Sequence, residues 1–222
     1  MATSPTGPGW FDENAAIEWC RGFIDHHCIF RSPPGQALLT TRDGGRELWQ
    51  FYFPIAAFNQ RFAQTVGMLF WRRYAKQFRE RPFQLCGCES GGVPVTCAIQ
   101  QVAIAYGIPV NVFEAKKKPK DYGIKNWLEG VVAKDVPVVL VDDVIGGQHT
   151  LNRNAKRLTE FGLELVGAFA IASCKRQPPL ELELGSRKIE VQALLGPQDF
   201  ARTHDRYVAK YRRLPQFQGT VV

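Results

Sequence analysis

The sequence predicts an α/β domain built on a parallel sheet with helices on both faces. Three observations carry that expectation. The runs "FQLCG", "IPVNVFE", "PVVLV" and "LELVGAFAIAS" are nearly continuous in apolar residues, as strands buried on both sides must be. Helical patterns separate them, so the chain returns to the sheet by crossovers rather than hairpins. Two of the strand ends, "CGCESGGVP" and "VDDVIGGQHT", run into glycine-rich turns that open helices. In open parallel sheets, that is where ligands bind.

Taken in order, the stretch 11–60 is irregular and aromatic, with turn signals at "SPPG" and "RDGG" and a short strand at "FYFP" ending on Pro54. It reads as a small lobe. From residue 61, "RFAQTVGMLFWRRYAKQF" spaces Phe62, Val66, Leu69, Phe70, Tyr74 and Phe78 as one helical face, with arginines opposite. "FQLCG" is the first core strand, and Pro94 opens a helix carrying Ile99, Val102, Ala103 and Tyr106 on one side. "IPVNVFE", "PVVLV" and "LELVGAFAIAS" follow as further strands. A helix on Leu151, Ala155, Leu158 and Phe161 stops at Gly162 between the last two. "KIEVQALL" adds a strand, and "PQDFARTHDRYVAKYRR" a terminal helix.

With 222 residues, 45% hydrophobic and 22% charged, the chain can bury one sizeable core and is not disordered. Its apolar runs are too short to span a membrane, and "MATSPTGPGW" lacks the features of a signal peptide and reads as a loose leader. The six cysteines have neither zinc-site nor disulfide spacing, which fits reduced thiols in a cytoplasm. A net charge of +7 favours an anionic partner, either a phosphate metabolite or nucleic acid.

Asp142 and Asp143 follow an apolar strand, where unpaired carboxylates are costly to bury. A sugar diol or a magnesium-bound sugar phosphate would suit them; the plain alternative is a turn with one acid capping nearby amides. Gly146 and Gly147 allow successive amides to form an anion nest, with a helix near Thr150 pointing its positive end at the same place. "CGCESGGVP" fails the dinucleotide fingerprint, since Glu89 stands at the second glycine position. Lys116, Lys117, Lys118 and Lys120 crowd "AKKKPKDYG", a solvated loop or one that closes over a polyanion.

Together these segments resemble the type I phosphoribosyltransferase family, and most closely its orotate phosphoribosyltransferases. "VVLVDDVI" is similar to the family's motif for phosphoribosyl diphosphate (PRPP), and the order "FYFPIAAFN", "CGCESGGVP", "KKKPKDYG", "LEG", acid pair, "KRQ" is similar too. The resemblance implies a leader and first helix over 1–34 and a phosphoribosyltransferase-like domain over 35–196, then a C-terminal helix and tail over 197–222. Within that domain a hood would occupy mainly 35–60 and the core 61–196. It implies that Asp142 and Asp143 contact the ribose hydroxyls of PRPP. Val144 and Ile145 would lead into a 5′-phosphate loop of Gly146, Gly147, Gln148, His149 and Thr150. Ser90 and Gly91 fall in the diphosphate loop, and Lys116, Lys117 and the catalytic Lys120 on a loop that covers diphosphate, often in a partner subunit's site. Tyr122 stands where orotate enzymes commonly have histidine. Arg176 matches an arginine that holds the orotate carboxylate, and Tyr52 and Phe53 match an aromatic pair beside the base. The implied cofactor is Mg2+, held mainly by PRPP near the acid pair, and the implied assembly is a homodimer.

The chain departs from the family in carrying "GGQHT" where threonines and small residues are usual, and in lacking the hood lysine, for which only Arg42 or Arg46 offers a substitute. The expected activity is transfer of phosphoribose from PRPP to a nitrogenous base, with orotate foremost. One alternative changes the acceptor base. Another makes the chain a PRPP-sensing or nucleic-acid-binding regulator on the same scaffold, using the arginine-rich helix at 61–79.

Overall fold

The computed structural model describes residues 11–31, 39–40, 46–47, 49–119, 126–146, 149–174 and 180–200. Helix α1 (Glu13–His27) starts where the Asp12 carboxylate accepts the Ala15 N–H at 3.1 Å. Cys20 and Ile24 on its buried stripe join the same apolar cluster as Phe62 and Phe70. The segment 11–31 is therefore more regular than its aromatic composition suggests: Ala16, Cys20 and Ile24 recur every fourth residue, which is a helical face. Two small antiparallel pairs follow, β1 (Ile29–Arg31) with β4 (Trp49–Phe51), and β2 (Leu39–Thr40) with β3 (Arg46–Glu47). A single turn, α2 (Pro54–Ala57), leads to α3 (Gln60–Glu80), capped by the Asn59 side chain on the Phe62 N–H at 3.0 Å.

The central sheet has seven strands, in the order β10-β11-β9-β8-β5-β6-β7. These are β5 (Gln84–Cys88), β6 (Val112–Ala115), β7 (Leu128–Gly130), β8 (Val138–Ile145), β9 (Leu165–Ser173), β10 (Leu180–Leu184) and β11 (Arg187–Leu195). β11, β9, β8, β5 and β6 run parallel, while β7 and β10 pair antiparallel at the two edges. The expected parallel core is present, with one antiparallel strand added at each edge. β10 reads "LELEL", with Leu182 buried against its neighbours and Gly185, at φ +61°, turning the chain directly into β11. Alternation and a glycine turn are hairpin signals, whereas the three residues of β7 are too few to show any period.

Helix α4 (Gly92–Ala105) connects β5 to β6, and α5 (His149–Glu160) connects β8 to β9. β5 and β8 lie side by side, yet the chain leaves them in opposite directions across the sheet. That reversal opens a crevice at their carboxyl ends. Helices α3 and α4 cover one face and α5 the other, each with its own apolar cluster. α6 (Pro197–Phe200) is the part of the expected terminal helix that falls within the described residues; the rest lies outside them.

Helix α3 sits close on α4 because Gly67 has no side chain. A Cβ there would come within 2.8 Å of the Ala98 carbonyl oxygen and 2.7 Å of a Val102 methyl. One turn on, the buried Trp71 donates its indole N–H to the Ile99 carbonyl at 2.9 Å. Gly67→Val is expected to cost roughly 1–3 kcal/mol, although glycine is a poor helix former, because backbone and not a flexible side chain is in the way. Urea titration checks this: the midpoint should fall with an unchanged slope.

Candidate active site

Both acids of "VVLVDDVI" lie inside β8, which continues to Ile145 rather than ending before them. Asp142 pairs with Ala170 of β9, and Val144 and Ile145 pair with Ala172 and Ser173. Asp142 and Asp143 are neighbours along the strand, and their carboxyls share a hydrogen bond. Asp142, 6% exposed, is close enough to the buried Cys88 for its charge to raise that thiol. Asp143 turns toward the start of α4.

The glycines of "CGCESGGVP" make room for this. A Cβ on Gly91 would stand 2.1 Å from an Asp143 carboxylate oxygen, and one on Gly92 would stand 2.2 Å from the Val141 carbonyl oxygen. The loop after β5 therefore closes directly on the acid pair, and α4 begins with its free N–H groups facing that side. Asp142 accepts the Asp143 N–H at 3.0 Å, and Asp143 accepts the Val144 N–H at 2.7 Å. The loop turns through a cis peptide between Glu89 and Ser90.

Burial pushes the Asp142 carboxyl well above the ordinary carboxylate range, and the charge of Asp143 adds to the rise. Burial also raises Asp143, against the pull of the Val144 N–H. Lys117 lowers both, so its charge reaches the pair. The lysine run itself divides. Lys116 leaves β6 with its ammonium 3.1 Å from Glu114 and 3.3 Å from Glu129, so its charge is compensated. Lys117 carries its backbone N–H to Glu89 at 2.6 Å.

Beside the loop lies a cavity of about 680 Å³ lined by Phe58, Glu89, Ser90, Cys97, Glu114 and Lys116, among others. Phe58 is 79% exposed at its edge, whereas Phe53 is 1% exposed and packs in the core, its ring 5.3 Å from that of Phe51. Of the expected aromatic pair, Tyr52 alone presents its ring at the surface, and Phe53 is corrected to a packing residue. Phe58 was overlooked although "FYFPIAAFN" contains it; an aromatic just past a proline-started turn was the available signal. Gly146 is exposed beyond β8, while His149 and Thr150 form the first turn of α5. Lys120, Tyr122, Gly147, Gln148 and Arg176 lie outside the described residues, as does Arg42. Among the described residues no group of three or more His, Cys, Asp or Glu could hold a metal ion, and no helix is long and apolar enough to cross a membrane.

No protein-family model matches the chain. Among curated proteins, it is 31% identical over 85 residues to the orotate phosphoribosyltransferase of Aquifex aeolicus, covering 38% of this chain and 46% of that relative. To that of Methanocaldococcus jannaschii it is 31% identical over 107 residues, covering 48% and 56%. The chain thus spans about half the length of the curated relatives it matches. Among solved structures, a Corynebacterium diphtheriae phosphoribosyltransferase superposes with a TM-score of 0.64 at 16% identity, over 84% of this chain and 99% of that one. The Mycobacterium tuberculosis orotate phosphoribosyltransferase does so with a TM-score of 0.63 at 16% identity, over 83% and 98%. The fold is that of the phosphoribosyltransferases. Within that class, the sequence relatives named here are orotate phosphoribosyltransferases.

The raised carboxyls have a consequence for stability. A folded carboxyl whose proton is held more tightly than in the unfolded chain makes the folded state bind more protons. Stability then falls as pH rises from the ordinary value of 3.8 through the raised folded value. Asp142→Asn is expected to raise the melting temperature of the free protein at about pH 8, with the gain fading as pH approaches about 4. Melting curves across that range check it; a gain that does not depend on pH would contradict the burial argument.

Proposed function

We propose that the protein transfers the 5-phosphoribosyl group of PRPP to a nitrogenous base, releasing diphosphate, with orotate as the acceptor. The observation that carries the reading is the acid pair at the carboxyl end of β8, set between the 89–91 loop and the start of α5 on a phosphoribosyltransferase scaffold. Buried carboxylates with no ion pair among the described residues suit ribose hydroxyls, which donate to them, and the positive charge that grows on the ring as the bond to diphosphate breaks. The bond from the anomeric carbon to the base nitrogen forms as the diphosphate departs with its electron pair.

Amides at the start of α5, with Thr150 and His149 beside them, would take the 5′-phosphate. Ser90, the amides of its loop and Lys117 would take the diphosphate. Mg2+ bound to PRPP would neutralise charge on the leaving group, and the acid pair is the donor set that fits beside it. The roles of Lys120, Tyr122, Gln148 and Arg176, and assembly as a homodimer, belong to the same proposal on the strength of the family resemblance. The nucleic-acid alternative draws less support: Arg61 stacks on Trp19 at 4.5 Å, and Arg73 lies 3.6 Å from Glu13, so part of the arginine face is engaged within the chain.

A second reading keeps the transfer and changes the acceptor. Glu89 and Glu114 line the cavity beside a lysine that is already compensated, which favours a neutral base over a carboxylated one. Diphosphate release with PRPP, Mg2+ and either orotate, uracil or a purine base separates the two readings. With the accepted base, the double variant Asp142→Asn/Asp143→Asn is expected to lose at least about a thousandfold in kcat/KM while keeping its circular dichroism spectrum. Turnover at the parent rate in that variant would refute the assignment of the acids.

A further inference from the structure

The peptide bond between Lys116 and Lys117 is gripped at both polar atoms by charged side chains from opposite sides. Its carbonyl oxygen accepts an N–H from Arg157 of α5 at 2.7 Å. Its N–H is donated to the Glu89 carboxylate at 2.6 Å. Both are charge-assisted hydrogen bonds, the stronger class. A peptide held at its oxygen and its hydrogen cannot rotate, so the Cα from which the Lys117 side chain departs is held in place.

The grip is braced further. The Arg157 guanidinium stacks over the Trp127 ring at 3.6 Å from its centre. Trp127 is the residue just before β7, and its carbonyl accepts the Lys116 N–H at 2.9 Å. Both roots of the 116–127 connection are thus fastened to α5, the helix whose first turn lies beside the acid pair. The Lys116 ammonium is held back between Glu114 and Glu129. Lys117 is the next cation along, and its charge acts on both acids.

We infer that Arg157 and Glu89 are positioning residues, which aim Lys117 at the crevice where the diphosphate of PRPP would lie. The inference rests on the phosphoribosyl-transfer reading. Glu89 belongs to the loop that would hold the diphosphate, so one carboxylate ties that loop to the lysine root. Arginine is required at 157 because a lysine ammonium offers neither the flat face that stacks on Trp127 nor a second fixed N–H.

Calorimetric titration with PRPP and Mg2+ tests this on the parent protein, Arg157→Lys, Lys117→Ala and the double variant. Arg157→Lys is expected to weaken binding by about tenfold, which is roughly 1.4 kcal/mol. The double variant should bind no more weakly than Lys117→Ala alone, because the arginine acts through the lysine. A merely structural role would instead multiply the two losses, and that result would overturn the inference. So would Arg157→Lys binding as tightly as the parent. Should Arg157→Lys fail to fold by circular dichroism, Glu89→Ala in the same cycle carries the test, and Glu89→Gln, which keeps an acceptor oxygen, should recover most of its loss. Absence of PRPP binding by the parent protein would sink the transfer reading and this inference with it. Binding with independent losses would sink the inference alone.

Discussion

Two adjacent carboxylates held near the end of a central strand are the constraint around which the rest of the crevice is arranged. Charged groups removed from water must find compensation, and a strand end flanked by β5 and β9 offers little water. Much of the compensation is backbone. Each acid accepts a neighbouring N–H, and the start of α4 faces Asp143 with its positive end. What those contacts do not supply keeps both acids inclined toward protonation. A site tuned in this way is unfavourable to the free protein and favourable to a ligand that brings hydroxyl donors or positive charge.

The same crevice shows how cations are apportioned. A chain with net charge +7 could be expected to flood such a place with lysine and arginine, yet several cations are neutralised locally. Lys116 sits between Glu114 and Glu129. Arg157 spends its hydrogen bond on a carbonyl and its face on an indole. The result is selective: of the described lysines at the root of the run, Lys117 acts on the acids. Selectivity of this kind comes from fixing backbone rather than from adding charge, since a fixed peptide costs nothing further to orient when a ligand arrives.

Much of this was legible in the chain because burial leaves strong periodic signals. The runs "FQLCG", "PVVLV" and "LELVGAFAIAS" coincide with β5, β8 and β9, and the helix stripe Phe62, Val66, Leu69, Phe70, Tyr74 and Phe78 is buried in α3. Illegible parts share a physical cause: they depend on pairing between distant segments. β7 has too few residues for a pattern, and its existence follows from pairing with β6. Asp142 and Asp143 were readable as adjacent acids, but their enclosure by Gly91 and Gly92 needs the crossing of two loops. Arg157 lies 41 positions from the carbonyl it grips, and on its helix it looks like any solvated arginine. Phe53 was misplaced because neighbouring aromatics carry no sign of which faces the core.

The two acids share a hydrogen bond, and each also meets a neighbour of its own. Asp143 leans on the loop that precedes α4, whereas Asp142 lies near Cys88 of β5. Under the proposed transfer, a ribose lying across the strand end would meet the joined acids between the starts of α4 and α5. Those starts belong to crossovers that diverge from the sheet in opposite directions, so under the proposed transfer the two phosphate ends of the sugar would not compete for the same amides. Reversal of strand order between β5 and β8 is what makes this division possible. A sheet wound in one direction would stack both helix starts on the same face and bring both anionic ends of the ligand together.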